Sequence, residues 1–276
     1  MDLGNEPAKR ATRAFATELA RLREERGLAQ TSLAARLQVH RSLISHIEHE
    51  RKIPTRAIAE KLDRVFGLVE RKHFVGLYKR ILYARNSPAW FIKWLEAEKQ
   101  AIMLQSWDPL VIPGLLQTSA YARAVIGSNP TLGTAEMEAR VQTRLARREI
   151  LNKERPPTVW VLLDENVLDR PIGGPPVLAE QLHHLLEDAR DPRVTIQIVP
   201  SMAGNPAGLV SAFQIARLPN GMEVVSVDSI IAGQPSADAD IVAKAKMWYE
   251  AIKADAQPQS VSLNLVEDAV RRWTKT

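Results

Sequence analysis

Between positions 15 and 68, apolar residues recur every three or four residues in short runs, and polar or helix-breaking residues separate the runs. Phe15, Leu19 and Leu22 share one face of a helix predicted over 12–25, and Gly27 is suited to end it. A second helix over 30–37 turns Leu33, Ala34 and Leu37 inward, and a third over 41–50 turns Ile47 inward with Leu43 or Ile44. Pro54 blocks direct continuation; Thr55 then caps a fourth helix with Ile58, Leu62 and Val65 inward, ending near Gly67. Phe74, Leu77, Tyr78, Ile81 and Leu82 predict a connecting helix over 70–84, which the run at 85–88 breaks. Short amphipathic helices bury their stripes only against one another, so an all-α domain is expected.

The texture then changes. Trp90, Phe91, Trp94 and Leu95 predict a helix over 88–99, with Ser87 and Pro88 as its start, and the apolar stretch 100–112 reads as a strand. Helices are predicted over 115–127 and 134–152. Past Pro156 and Pro157, β-branched runs at 158–163, 194–199, 209–216 and 223–231 read as strands, with a helix at 176–189 between the first two. Helices over 237–255 and 260–274, the latter capped by Ser260, complete the chain. The expected fold is an N-terminal all-α helix-turn-helix domain over 1–70, a connecting helix over 71–87, and a larger α+β domain over 88–276 with a mixed sheet flanked by helices.

Charge sharpens the division. The chain of 276 residues carries a net charge of +5. Residues 9–64 hold 13 Lys/Arg against 7 Asp/Glu, a balance of +6 that leaves −1 for the rest. A basic excess on the helical unit is the footprint of a phosphate binder. There are no cysteines, which excludes disulfides and thiolate metal sites. No apolar run reaches the ~18 residues of a membrane span, and the opening MDLGNEPAKRATR has no apolar signal core, so a cytoplasmic protein with no membrane partner is expected.

The helices at 30–37 and 41–50 are spaced as a helix-turn-helix, whose second helix presents its first turn to the major groove. Arg41, Ser42, Ser45 and His46 are therefore the base-reading candidates, and Arg41 has the geometry to pair bidentately with guanine. Gln30 and Thr31 open the preceding helix, where backbone amides face phosphate. His40, Arg51, Lys52 and Arg56 are the other phosphate candidates. One such unit touches few bases, so a homodimer on a double-stranded DNA operator is expected.

The strings REERGLAQ at 23–30, LAARL at 33–37 and RSLISHIE at 41–48 resemble the Xre-type, lambda-repressor-like helix-turn-helix family. The resemblance implies a phosphate-contacting glutamine at Gln30 and a structural ion pair between Arg23 and Glu48. The chain departs from the pattern at Gln38, where a small turn residue is usual, and at His40, where Ser or Thr often opens the recognition helix. The stretches at 95–126, 159–186 and 194–215 resemble the domain that follows such units in WhiJ-like actinobacterial regulators, described as antitoxin-like. That resemblance implies a transcriptional regulator whose second domain senses a small-molecule effector, oligomerises, or binds a small partner protein encoded nearby. The alternative it leaves is an antitoxin-like interaction module whose DNA binding is autoregulatory. Pro206 departs from the family in the loop 203–208, and no pocket role is assigned there.

No catalytic constellation stands out in the second domain, so no enzyme activity is expected. Asp164 and Glu165 end a strand but have no nucleophile or phosphate loop beside them, and the PIGGPP turn is not a dinucleotide fingerprint. His183 and His184 point about 100° apart on a helix and cannot easily share a metal, so neither metal nor cofactor is expected. Arg140, Arg144, Arg147 and Arg148 form a basic face, read as solvated and salt-bridged to nearby glutamates rather than as a binding surface. The six tryptophans read as core or interface, with a ligand-pocket role left open.

Overall fold

The computed structural model describes residues 6–86, 89–203, 211–227 and 235–275. The chain divides into two compact units, Met1–Ala89 and Trp90–Thr276.

The first unit is all-helical: α1 (Glu6–Glu25), α2 (Gln30–Leu37), α3 (Arg41–Glu48), α4 (Arg56–Val65) and α5 (His73–Asn86). Phe15, Leu19, Leu33, Leu37, Ile44, Ile47 and Leu62 form its buried core, and Leu43 lies at the margin. The first helix begins at Glu6 rather than near 12, because Ala8 and Thr12 are also buried and extend the inward stripe. The predicted connector, α5, belongs to this unit. Phe74, Leu77 and Ile81 enter the core, and the Phe74 ring lies 5.3 Å from Phe15 and 5.6 Å from Phe66 between centroids. Asp63 of α4, itself buried, accepts the backbone N–H of Phe74 at 2.7 Å and of Val75 at 3.1 Å. It thereby satisfies two of the donors left open at the start of α5.

The second unit begins with α6 (Ala89–Gln100) and is built on a five-stranded sheet: β1 (Met103–Asp108), β2 (Thr158–Asp164), β3 (Val194–Val199), β4 (Phe213–Arg217) and β5 (Glu223–Val227). The strand order is β3-β2-β1-β4-β5, with β1, β2 and β3 parallel and β4 and β5 antiparallel, so the sheet is mixed. The helices α7 (Ser119–Gly127) and α8 (Thr134–Arg147) lie between β1 and β2, and α9 (Pro175–Asp188) lies between β2 and β3. The C-terminal helices are α10 (Ala239–Ala254) and α11 (Gln259–Thr274). One sheet face buries Leu104, Val159, Val161 and Ile196 with Trp94 of α6, Leu178 and Leu182 of α9 and Val266 of α11. The other buries Trp107, Leu162, Phe213 and Val225 with Val242, Tyr249 and Ile252 of α10. The alternation along each strand thus serves two helical layers.

Several boundaries differ from the sequence reading. The strand expected over 100–112 stops at Asp108, before Pro109, which has no N–H to give a ladder. The helix expected from 115 becomes a 3-10 turn, Gly114–Leu116, and α7 starts afresh after Thr118, whose Oγ1 accepts the Tyr121 N–H at 3.3 Å. The helix expected over 134–152 ends at Arg147 and tightens into a 3-10 turn, Arg148–Asn152. Ser260 lies inside the first turn of α11, and Pro258 holds the N-cap position instead. The expected helix start at 87–88, the strand residues 209–210 and 228–231, and most of the loop 203–208 lie outside the described residues.

Candidate nucleic-acid interface

Helices α2 and α3 are joined by a turn in which Gln38 adopts a left-handed backbone, φ 54° and ψ 52°. That conformation is costly for a residue with a Cβ, and its N–H closes α2 by reaching the carbonyls of Ala34 and Ala35. His40 then occupies the N-cap of α3. Its Nδ1 accepts the Ser42 N–H at 3.3 Å and lies 2.7 Å from Ser42 Oγ. A ring nitrogen therefore does here what a hydroxyl does in most caps. Only Nε2 of His40 is left to face a phosphate.

Beyond that cap, Arg41, Ser42 and His46 are exposed and Ser45 is half-buried. Ile44 and Ile47, on the opposite side of the same two turns, are sealed in the core. The helix can present its polar edge because its apolar edge is anchored. The N-terminus of α2 lies in the same substructure. Its N-cap, Ala29, offers no side-chain acceptor, so the first backbone N–H groups, at Gln30 and Thr31, carry no side-chain cap. Such donors, with the positive end of the helix dipole, suit an anion.

One buried carboxylate holds these two helices and α1 in register. Glu48 Oε1 accepts from Arg23 Nε at 2.6 Å, and Oε2 accepts from Arg23 Nη2 at 3.1 Å and from Gln30 Nε2 at 2.8 Å. Arg23 also donates to the Leu28 carbonyl at 3.0 Å. The hydrogen bond to Glu48 is the main cause holding the Arg23 guanidinium above its ordinary pKa. An amide nitrogen carries two hydrogens; Glu48 takes one from Gln30 and leaves the other to donate outward.

After α3 the chain turns at Glu50, also left-handed at φ 60°. The N–H groups of Arg51 and Lys52 both reach the His46 carbonyl, at 2.8 and 3.1 Å, and both residues are exposed. Thr55 Oγ1 caps α4 through the Ile58 N–H at 3.3 Å. Arg56, exposed at the first position of α4, is paired with Glu60 at 2.8 Å, so a phosphate would have to compete for it. The sequence reading missed Arg13, which the longer α1 brings to Glu50 at 3.1 Å. No sequence spacing links positions 37 residues apart.

The candidates in the second unit are structurally occupied. Asp164 Oδ1 accepts the Asn166 N–H at 2.8 Å and caps a 3-10 turn, and Glu165 accepts the Ser201 N–H at 2.9 Å. His183 and His184 lie beside Glu187 on α9, at 3.7 and 3.6 Å, and no group of three or more potential metal ligands occurs among the described residues. The basic face of α8 is not uniformly solvated, which corrects the sequence reading. Arg147 is buried in a bidentate pair with Glu98 of α6, at 2.9 and 2.5 Å, and its guanidinium also lies over Phe91. Arg148 pairs with buried Asp188, while Arg140 and Arg144 reach Glu136 and Gln117. Trp94 and Trp107 are core, Trp160 stacks under Lys253, Trp273 donates to the Leu168 carbonyl, and Trp248 is half-exposed.

Residues 14–73 match the family model of a helix-turn-helix domain. Residues 91–268, more than half the chain, match the model of a domain of unknown function, DUF5753. The chain belongs to the DUF5753 family. No curated protein and no solved structure matches it. The DUF5753 match covers all five strands and most of α11, so it describes the second unit, while the helix-turn-helix match covers α2, α3 and α4 with most of α1. No helix among the described residues is long and apolar enough to cross a membrane.

Proposed function

We propose that this chain is a sequence-specific DNA-binding transcriptional regulator of the Xre type. In this reading it acts in the cytoplasm as a dimer, and its DUF5753 domain receives a small-molecule or protein signal. The first turn of α3 enters the major groove, with Arg41, Ser42, Ser45 and His46 toward base edges. Gln30, Thr31, His40, Arg51, Lys52 and Arg56 meet the phosphates on either side. The observation that carries this reading is the exposed edge Arg41–Ser42–His46 on a helix whose other edge, Ile44 and Ile47, is fully buried. Asp164, Glu165 and the α9 histidines take no part, and no reaction is assigned.

The test is a binding assay on operators selected from random DNA. Arg41→Ala should lower the preference for the selected site by about 1–3 kcal/mol, roughly five- to 150-fold, and leave weak nonspecific binding in place. Affinity should also fall steeply with salt as counterions are released. Equal operator affinity for Arg41→Ala and parent would remove Arg41 from the base-reading set. A flat salt dependence, or no selectable site, would end the regulator reading.

A further inference from the structure

The geometry points to the solvent face of α10 as the contact surface between two copies of this chain. The helix packs Val242, Tyr249 and Ile252 onto the sheet. A helix with one such face carries polar residues on the other. Instead, Ile241, Met247 and Trp248 stand out at 46, 73 and 49% exposure. Between them Ala243, Ala251 and Ala254 are exposed, with side chains short enough for another backbone to approach closely. The three large side chains present on the order of 300 Å² of apolar surface. A standard interface covers about 800 Å² per partner, so this patch can be the dry centre of one. Met222, 50% exposed, widens the patch, because Glu223 beside it is tied to Lys246 of α10 at 2.9 Å.

Charge selects a second copy as the occupant. A two-fold axis crossing α10 between Met247 and Trp248 sets two such helices antiparallel. Ile241 of each then lies against Ala254 of the other, and Lys244 lies against Ala251, one residue from Glu250. Lys244 and Glu250 are both exposed. The symmetry makes the opposite-charge contact twice, so the surface is complementary to itself, as an isologous interface requires. This inference rests on the dimeric reading above and gives it a place: one helix-turn-helix supplies one half-site, and the α10 pair joins two.

The experiment is sedimentation of the full chain with four variants, alongside thermal melts and the operator assay. The parent should be a dimer at micromolar concentration, and Met247→Asp should be a monomer with an unchanged melt, since the replaced side chain is exposed. K244E and E250K should each weaken dimerisation by about tenfold or more, because like charges then face each other twice. The double variant K244E/E250K should recover the parent affinity. A monomeric parent, a dimer indifferent to Met247→Asp, or a double variant no better than the single ones would overturn the assignment. Failure to bind DNA by a parent that dimerises as described would refute the regulator reading and leave the α10 interface standing.

Discussion

Removing the Glu48 carboxylate is the sharpest test of how the DNA-binding unit is held together. Its side chain is 6% exposed and Arg23 is 13% exposed, so the pair is nearly dry. Deleting one partner of a buried pair typically costs about 3–5 kcal/mol, because the remaining charge is stranded. Here the stranded guanidinium keeps the Leu28 carbonyl at 3.0 Å and Glu24 at 3.1 Å and retains some access to water. The expected cost of Glu48→Ala is therefore lower, about 2–3 kcal/mol. For a unit of this size that is a fall of roughly 10–20 °C in melting temperature. The chain supplies its own control. All six tryptophans lie at position 90 or later, so the unit Met1–Ala89 has none. Circular dichroism follows helix loss in both units, whereas tryptophan fluorescence reports the second alone. Glu48→Ala should lower a dichroism transition and leave the fluorescence transition where it was. Operator affinity should fall as well, since Gln30 loses the acceptor that orients its amide. A dichroism midpoint within about 2 °C of the parent would refute the argument that this carboxylate braces α1, α2 and α3.

Three further outcomes follow from single features of the same unit. Gln38→Gly should raise stability by roughly 0.5–1 kcal/mol, read as a higher dichroism midpoint, because glycine takes the left-handed turn without the Cβ penalty but costs more entropy on folding. Asp63→Ala should cost about 2–3 kcal/mol by leaving the Phe74 and Val75 N–H groups buried without an acceptor; a neutral outcome would mean that α5 does not need this cap. Glu18 is held below its ordinary pKa of 4.5, chiefly by its hydrogen bond from Arg21 and further by His73 at 2.8 Å. A depressed carboxylate stabilises the fold above its unfolded pKa and loses that contribution as pH falls through the folded value. The first unit should thus weaken below about pH 4.5, and Glu18→Gln should flatten that acid limb in a dichroism titration; an identical limb in the variant would contradict the assignment.

The local features were legible along the chain because their causes are local. The three-and-four spacing of Leu33, Ala34 and Leu37, the stop at Gly27 and the cap at Thr55 are decided by neighbours within a turn or two, and the helices form where those signals lie. The β-branched runs likewise became β2 and β3 with bounds within a residue of expectation. The position of the reading helix also followed, since amphipathicity alone tells which edge of α3 is free.

Other properties depend on residues far away in sequence, and no periodicity reports them. Arg147 looked like one member of an exposed basic stripe, yet Glu98, 49 positions earlier, draws it into the interior. The α5 helix looked like a connector, but Phe15 and Asp63 make it part of the first core. His40 looked like a poor cap until its ring nitrogen was seen to reach the Ser42 amide. The outer side of α10 carried a pattern that a buried helix could equally have shown; only the packing of Val242, Tyr249 and Ile252 against the sheet reveals that Met247 and Trp248 face away. Sequence pattern thus decides which segments coil and which extend, because those choices are settled by short-range sterics and hydrogen bonding. Which charges are buried and which apolar faces stay uncovered is settled by long-range burial, and that depends on where the whole chain places its distant parts.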